Sequence, residues 1–232
     1  MKKRLNLVLS TLILTVIISV GLPIIRVQNT QAQNNSNQTW EEVFQDLFNK
    51  SDEDPPVSNK DGTSRGSLCL VAPGLIEVKG KIWSTRPTFI WQGKLNLIEI
   101  HEANSEENLW TVTLKENEQK VVYTGSELQP GNSYYWKVFD STATEYSFPI
   151  LRVTFIVMDM QERQAITQEL EKLDAELNQE GNTPEAIALA RVKFFAERKL
   201  WSDALSEAFA VKNPSPKLQD FHSNILQFFC QS

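Results

Sequence analysis

Apolar and polar residues alternate in short runs between residues 65 and 158, a period that is typical of half-buried β-strands. The clearest run follows the turn Pro130-Gly131, where Tyr134, Trp136 and Val138 should face a core and Lys137 the solvent. The other runs cover residues 65–73, 86–93, 95–101, 109–114, 120–123 and 151–157. About seven short strands separated by turn or polar residues favour an antiparallel β-sandwich over a parallel sheet.

The apolar spacing changes to three or four residues in the C-terminal region, 159–232, which predicts helices. Gly181 ends the first helix and Thr183-Pro184 opens the second, with proline at its first position. Ser202 is a candidate cap for a third helix, and Ser215-Pro216 starts a fourth. The sequence therefore predicts an α+β protein, with a β-sandwich followed by a small α-helical hairpin array.

Two local patterns resemble known folds. The stretch from Leu128 to Trp136 is similar to the strand entry of fibronectin type III and immunoglobulin-like (Ig-like) domains, which implies that the Tyr134 hydroxyl bonds back to the upstream backbone. An ordinary hairpin of another β fold remains the alternative. The helical tail resembles the second half of one tetratricopeptide repeat at Phe195, Trp201, Ala204 and Pro216, but it departs from the repeat at Val192, Lys199 and Ala208. This likeness implies a helical hairpin and does not carry the repeat's peptide-binding function.

The N-terminal segment, residues 1–32, has the order of a secretory signal. Lys2, Lys3 and Arg4 precede a largely apolar stretch over residues 5–22, and small residues precede a cleavage site after Ala32. We expect a periplasmic or secreted protein. An uncleaved membrane anchor is the alternative, because the apolar stretch is almost long enough to span a bilayer.

Residues 33–64 form a predicted flexible linker that contains one short amphipathic helix. Trp40, Val43, Phe44, Leu47 and Phe48 share one face of this helix, and Thr39 with Glu42 has the spacing of a capping box. The helix either packs back on its own domain or serves as a docking peptide.

Composition and motifs limit the classes of function that fit this sequence. The chain carries a net charge of −6, so it is a poor candidate for nucleic-acid binding. His101 and His222 are the two histidines, and no catalytic, phosphate-binding or metal-ligand motif accompanies them. We therefore expect no enzyme activity, no cofactor and no metal site. A pair of carboxylates brought together by the fold remains open, and it would indicate a hydrolase acting on envelope glycans.

Cys69 and Cys230 are the two cysteines, and export places them in an oxidising compartment. A disulfide between them would join the first strand to the last helix and could contribute about 4 kcal/mol by limiting the entropy of the unfolded chain. Two buried free thiols are the alternative.

The signal segment and three internal motifs together resemble the DUF928-like family of exported cyanobacterial proteins of unknown function. The motifs lie at residues 64–74 (SRGSLCLVAPG), 82–93 (IWSTRPTFIWQG) and 128–136 (LQPGNSYYW). The resemblance implies export and architecture, and it supplies no catalytic residues. We expect a non-catalytic binding or adaptor module of the cell envelope, whose partner is an envelope or secreted protein or a cell-surface polysaccharide. If residues 1–32 stay attached, the protein would be a membrane-tethered adaptor.

Overall fold

The computed structural model describes residues 39–48, 64–65, 68–74, 80–105, 107–140 and 148–230. The predicted signal segment lies outside these residues. The described chain contains both sheets and helices and belongs to the α+β class. Its elements are, in order, α1 (Trp40–Phe48), β1 (Ser64–Arg65), β2 (Leu68–Ala72), β3 (Lys81–Ile82), β4 (Thr88–Gln92), β5 (Leu97–Glu102), β6 (Asn108–Thr113), β7 (Lys120–Val122), β8 (Ser133–Phe139), β9 (Leu151–Val157), α2 (Met160–Gln179), α3 (Pro184–Ala196), α4 (Trp201–Ala210) and α5 (Pro216–Cys230).

Two sheets share one apolar core. The four-stranded sheet has the order β1-β2-β4-β7, and the five-stranded sheet has the order β3-β9-β8-β5-β6. As the alternation of β8 predicts, Tyr134, Trp136 and Val138 lie in this core, together with Phe155 of the neighbouring β9 and Phe89 of β4 in the other sheet. The indole Nε1 of Trp136 donates a hydrogen bond of 3.1 Å to the Pro73 carbonyl, so its one polar atom is satisfied in the core.

One strand pairing departs from the predicted antiparallel arrangement. Lys81 and Ile82 of β3 pair in parallel with Ile156 and Val157 of β9, at the edge of the five-stranded sheet. The sequence did not predict β3 as a separate strand, because two residues are too few to show the alternation of a strand. The strand β1, which pairs with β2 through Ser64 and Arg65, was missed for the same reason.

The helices cover the second face of the four-stranded sheet. Alternate residues of β2 divide between two cores: Leu68 and Leu70 belong to the core between the sheets, and Cys69 and Val71 belong to the core under the helices. The continuous apolar run of β2 is therefore explained by burial on both faces. The described chain forms three layers, with the five-stranded sheet outside, the four-stranded sheet in the middle and the helices on the other side.

A buried carboxylate joins the helices to the sheets. Asp203 of α4 accepts hydrogen bonds from the backbone N–H groups of Trp83 and Ser84, at 2.7 Å and 2.9 Å. Arg163 of α2 donates to the Trp83 carbonyl at 2.7 Å, and the Trp83 indole lies 5.4 Å from the Phe195 ring. The segment after β3 is thus fixed by three of its own backbone groups.

Helix α1 packs back on the helical layer. Thr39 and Glu42 form the predicted capping box, with reciprocal bonds of 2.7 Å and 3.3 Å. Trp40 is 4% exposed, lies 5.0 Å from the Phe221 ring and donates its Nε1 hydrogen to Glu185 at 2.8 Å. These contacts agree with the packed alternative for this helix.

Tyr134 makes the hydroxyl bond that the resemblance of residues 128–136 to an Ig-like strand entry implies. Its hydroxyl accepts from the Gln129 N–H at 2.8 Å and lies 3.3 Å from the carbonyl of the same residue. The bond joins the residue before the Pro130-Gly131 turn to the strand that follows the turn, so it fixes the entry of β8 into the core.

The starts of α3 and α4 are formed differently. Thr183 caps α3 as predicted, accepting from the Ala186 N–H at 3.2 Å, with Pro184 as the first helical residue. The expectation that Ser202 caps α4 is wrong, because α4 begins at Trp201 and Ser202 is buried inside it. Burial of Trp201 in the helical core sets this start in place of a side-chain cap.

Candidate functional site

A groove opens between the first turns of α3 and the end of α4. Its cavity is about 640 Å³, and its walls are mostly apolar: Pro184, Ile187, Ala188, Ala210 and Val211. We call this cavity the α3–α4 groove. A concave site of this size with apolar walls and a few polar groups has the form of a binding site for a small molecule or a peptide side chain.

Local sequence produces the two ends of the groove. The Thr183 cap and Pro184 start α3 at one end, and α4 ends at Ala210, where Val211 takes extended backbone. Pro214 follows shortly after and prevents α4 from continuing. The chain therefore turns away from α4 and leaves the small side chains of Ala188 and Ala210 facing an open space.

A charged network lies along the groove. Arg191 of α3 donates through Nη1 to the Glu207 carboxylate of α4 at 2.9 Å, and its Nε lies 3.4 Å from Asp174 Oδ1 of α2. The guanidinium thus joins three helices. The Glu207 side chain is 18% exposed and that of Asp174 is 34% exposed, so the Arg191–Glu207 pair is less accessible to solvent than the Arg191–Asp174 pair.

Burial raises the pKa of Glu207 above its usual value. Arg191 opposes this shift by stabilising the carboxylate, and Asp174 adds to it by repulsion. Burial prevails, so Glu207 is the acidic residue of the groove that is easiest to protonate. Perturbed carboxylates are concentrated at functional sites, although structural ion pairs also produce them.

Glu185 closes the groove on the side of α1. Its carboxylate accepts from Trp40 Nε1 at 2.8 Å and from both the hydroxyl and the N–H of Ser215, at 2.6 Å and 3.0 Å. Burial pushes the pKa of Glu185 upward, but these hydrogen bonds outweigh it and hold the pKa below its usual value. Glu185 therefore serves as a fixed anion that ties α1 and α5 to α3.

A second cavity, of about 660 Å³, lies between α1 and α5. Its apolar side is formed by Trp40, Phe44, Phe221 and Phe228, and its rim carries Lys217 and Asp220. The charged residues that line it, Glu41 of α1 and Lys217 and Asp220 of α5, are all exposed. The α3–α4 groove is the stronger candidate because a half-buried charged network lines it.

Neither histidine lies in the groove. His101 Nε2 is 2.9 Å from the Glu99 carboxylate, and its ring stacks on Tyr135 with centroids 5.1 Å apart. His222 is bonded to the Ala208 carbonyl at 3.0 Å, and its ring lies 4.0 Å from that of Phe209. Burial lowers the pKa of His222, which favours the neutral ring.

The two cysteines lie within bonding distance, with an S–S separation of 2.11 Å, and they are 161 positions apart in the sequence. Cys69 is 5% exposed, and it lies under α5 in the helical core. This agrees with the predicted pairing of the first long strand with the last helix. The bridge is remote in sequence from the groove residues and serves as a link between layers.

Sequence reasoning did not single out the charged residues of the groove. Arg191 interrupts an apolar run of α3, and Glu207 interrupts an apolar run of α4. Each interruption is a usable signal, because a charged residue within an apolar helix face is usually paired when buried. The identity of the partner depends on how the helices pack, and spacing along the chain does not give it.

Among the described residues, no group of three or more His, Cys, Asp or Glu side chains is placed to hold a metal ion. None of the helices in the described part of the chain is long and apolar enough to cross a bilayer.

Comparison with known proteins adds no relative to these observations: no protein-family model matches the sequence, and no curated protein is similar to it.

Proposed function

We propose that the protein is an exported, non-catalytic binding module of the cell envelope, in the periplasm or outside the cell, and that the α3–α4 groove holds a segment of an envelope or secreted protein. The observation that carries this proposal is the pairing of charges inside an apolar-walled groove. Arg191 neutralises Glu207 at 2.9 Å, so a ligand meets apolar walls and a closed ion pair.

The rim of the groove indicates what the segment would contain. Lys212 lines the groove, is exposed, and makes no ion pair within the described part of the chain. An apolar side chain of the partner would fill the space over Ala188 and Ala210, and a neighbouring acidic residue would face Lys212.

We also propose that the two sheets form an Ig-like sandwich and that the helical tail is a hairpin array similar to one tetratricopeptide repeat. The Tyr134 hydroxyl bond supports the first assignment. Lys199 supports the second, because it takes a left-handed φ of 58° where the repeat usually has glycine. From the motifs at residues 64–74, 82–93 and 128–136, we propose that the protein is related to the DUF928-like family of exported cyanobacterial proteins.

The proposed binding site is tested by filling the groove with a larger side chain. Ala210→Trp places a large ring among the small side chains, while Ala175→Trp makes the same change at an exposed position of α2 outside the groove. The tagged, natively processed protein is crosslinked in its host cells and the recovered proteins are quantified by mass spectrometry. We expect Ala210→Trp to lower recovery of a specific partner by about tenfold or more, which corresponds to about 1.4 kcal/mol of binding energy.

Ala175→Trp should leave recovery unchanged, and both variants should unfold within about 0.5 kcal/mol of the parent, as surface substitutions usually do. Equal recovery with Ala210→Trp and the parent would contradict the proposed site. If the parent recovers no protein at all, the adaptor function is wrong.

One observation favours a second function, hydrolysis of an envelope glycan. A general acid needs a carboxyl group with a raised pKa, and burial gives Glu207 that property, with Asp174 bound to the same arginine. Arg191 opposes this use because it stabilises the ionised form. Release of reducing ends from a panel of envelope polysaccharides, abolished by both Glu207→Gln and Asp174→Asn in folded protein, would favour the hydrolase over the binding module.

A further inference from the structure

The outer face of the five-stranded sheet carries two adjacent cations that share one aromatic ring. Lys137 of β8 and Arg152 of β9 lie directly opposite each other in the register of the two strands. The guanidinium carbon of Arg152 lies 3.5 Å from the centroid of the Tyr135 ring, and Lys137 Nζ lies 5.5 Å from the same centroid. We call these three residues the cationic face.

Neither cation makes an ion pair with a carboxylate within the described part of the chain. The acidic residue in register with Lys137 is Glu99, and its carboxylate is bonded to His101 at 2.9 Å. Other cations do find partners: Lys81 binds Glu162, and Arg198 binds Glu169. An unpaired pair of cations is unexpected in a chain whose acidic residues outnumber its basic ones by 29 to 23.

Folding alone does not account for this arrangement. Like charges placed directly opposite each other across two strands destabilise a sheet. The Tyr135 ring offsets part of this cost by cation–π attraction to both groups. A carboxylate in place of either cation would have removed the repulsion. The cationic face therefore has the properties of a site for an anion supplied from outside.

The ring also sets the orientation of the guanidinium. Tyr135 is 1% exposed, and His101 stacks on it with an angle of 2° between the ring planes. Arg152 uses its flat face for this contact and is itself exposed, so the N–H groups at its edge remain available for a ligand. A guanidinium held in this way is arranged for bidentate binding of a carboxylate.

Backbone pairing decides what kind of anionic ligand fits. β8 is bonded to β5 on one side and to β9 on the other, and β9 is bonded to β8 and β3. Within the described residues, β3 pairs with β9 at Ile156 and Val157 alone, so an acidic peptide added as a strand beside Arg152 would still be separated from Lys137 and Tyr135 by β9. A ligand that contacts both cations is therefore recognised by their side chains. Exposed Thr154, in register with Tyr135, flanks the face and offers a hydroxyl group for sugar hydroxyls.

We propose that the cationic face binds a carboxylate-bearing polysaccharide, with Arg152 holding one uronate carboxylate in two hydrogen bonds and Lys137 neutralising a second charge. This site lies on the layer opposite the helices, and it does not depend on the function proposed for the α3–α4 groove. The two sites together would let the protein join an acidic envelope polymer to a partner protein.

The experiment measures binding of the natively processed protein to alginate oligosaccharides by titration calorimetry. The test variant is Lys137→Gln with Arg152→Gln, and the control is Lys115→Gln with Lys172→Gln, which removes the same charge from exposed positions elsewhere. We expect the test variant to weaken binding by about tenfold or more and the control to change it by less than about twofold. Binding by the parent should also weaken as salt is added.

The thermal stability of the two variants is the second measurement. Because the test variant removes a like-charge pair, its thermal unfolding should not fall below that of the control. If the double variant does not fold, Arg152→Lys is the second test. It keeps the charge but removes the paired N–H donors of the guanidinium, and it should bind alginate more weakly than the parent does.

Three results would overturn the proposal. They are no binding of alginate by the parent, equal losses in the test and control variants, or poly-glutamate binding through the same two residues as tightly as alginate. The groove variant Ala210→Trp should leave alginate binding unchanged, which separates failure of this proposal from failure of the first.

Discussion

Asp203 is a charged residue in the interface between helices and sheets, and its role is to satisfy two backbone donors. Only 3% of it is exposed, and it accepts from the N–H groups of Trp83 and Ser84. An amide in its place would present a donor to at least one of these donors. We expect Asp203→Asn to lower the free energy of unfolding by about 2–4 kcal/mol, because hydrogen bonds to charged groups are strong and the buried donors lose their acceptor.

Urea unfolding followed by circular dichroism checks this value. Asp220→Asn, the same change at an exposed position of α5, should alter the free energy of unfolding by less than about 0.5 kcal/mol. Equal effects of the two substitutions would show that Asp203 does not join the layers.

Glu207 and Glu185 should make opposite contributions to the pH dependence of stability. Burial raises the pKa of Glu207, so the folded state binds its proton more tightly, and its contribution to stability falls as pH rises past the usual pKa of a glutamate. Despite the opposing effect of burial, hydrogen bonds lower the pKa of Glu185, so its contribution is present above the usual pKa of a glutamate and is lost as pH falls below it.

The measurement is urea unfolding over a series of pH values for the parent and for Glu207→Gln and Glu185→Gln. Relative to Glu207→Gln, the parent should lose stability as pH rises. Relative to Glu185→Gln, the parent should lose stability as pH falls. Slopes of the same sign for the two variants would contradict the assigned environments.

At the scale of residues, local chemistry was predictable and spatial pairing was not. The Thr39–Glu42 box, the Thr183 cap and the Tyr134 hydroxyl bond each involve residues five or fewer positions apart, so their spacing carries the information. Arg191 and Glu207 are separated by 16 positions and meet only because α3 and α4 pack together. For such pairs the sequence indicates that a charge needs a partner without indicating which one.

Strand β2 shows how an element can be recognised while its neighbours remain unknown. Its five residues are all buried, and its apolar run was predicted as a strand. The run itself does not reveal that one face meets the second sheet and the other meets α5. The two-residue strands β1 and β3 were missed as separate elements because they are too short to show a period.

The disulfide adds a covalent link between β2 and α5. Because its cysteines are 161 positions apart, it restricts the unfolded chain strongly, and we expect replacement of both cysteines by alanine to lower the free energy of unfolding by about 4 kcal/mol. Urea unfolding of the oxidised parent and of the double variant measures the difference.

A reducing agent provides the control. It should lower the stability of the parent towards that of the double variant and leave the double variant unchanged. Alkylation of the denatured, unreduced parent should label no thiol at either position, and labelling of both would show that the bond is absent from the exported protein.

At the scale of the molecule, the two proposed sites lie on opposite outer layers. The α3–α4 groove belongs to the helical layer, and the cationic face belongs to the opposite outer sheet. The α+β class followed from the change of period near residue 159, because strands and helices occupy separate stretches of the chain. The stacking order did not follow, since it depends on which sheet face the helices cover.

We propose that the α3–α4 groove holds a partner protein, and site-specific photocrosslinking from the groove rim can capture that protein. A photoreactive phenylalanine analogue replaces Lys212 on the groove rim or, as a control, the exposed Glu116 between β6 and β7. Crosslinking is performed in host cells that produce the protein at its normal level. We expect one reproducible protein adduct from position 212 and none of the same mass from position 116. The absence of an adduct at position 212, or the same adduct at both positions, would contradict the claim.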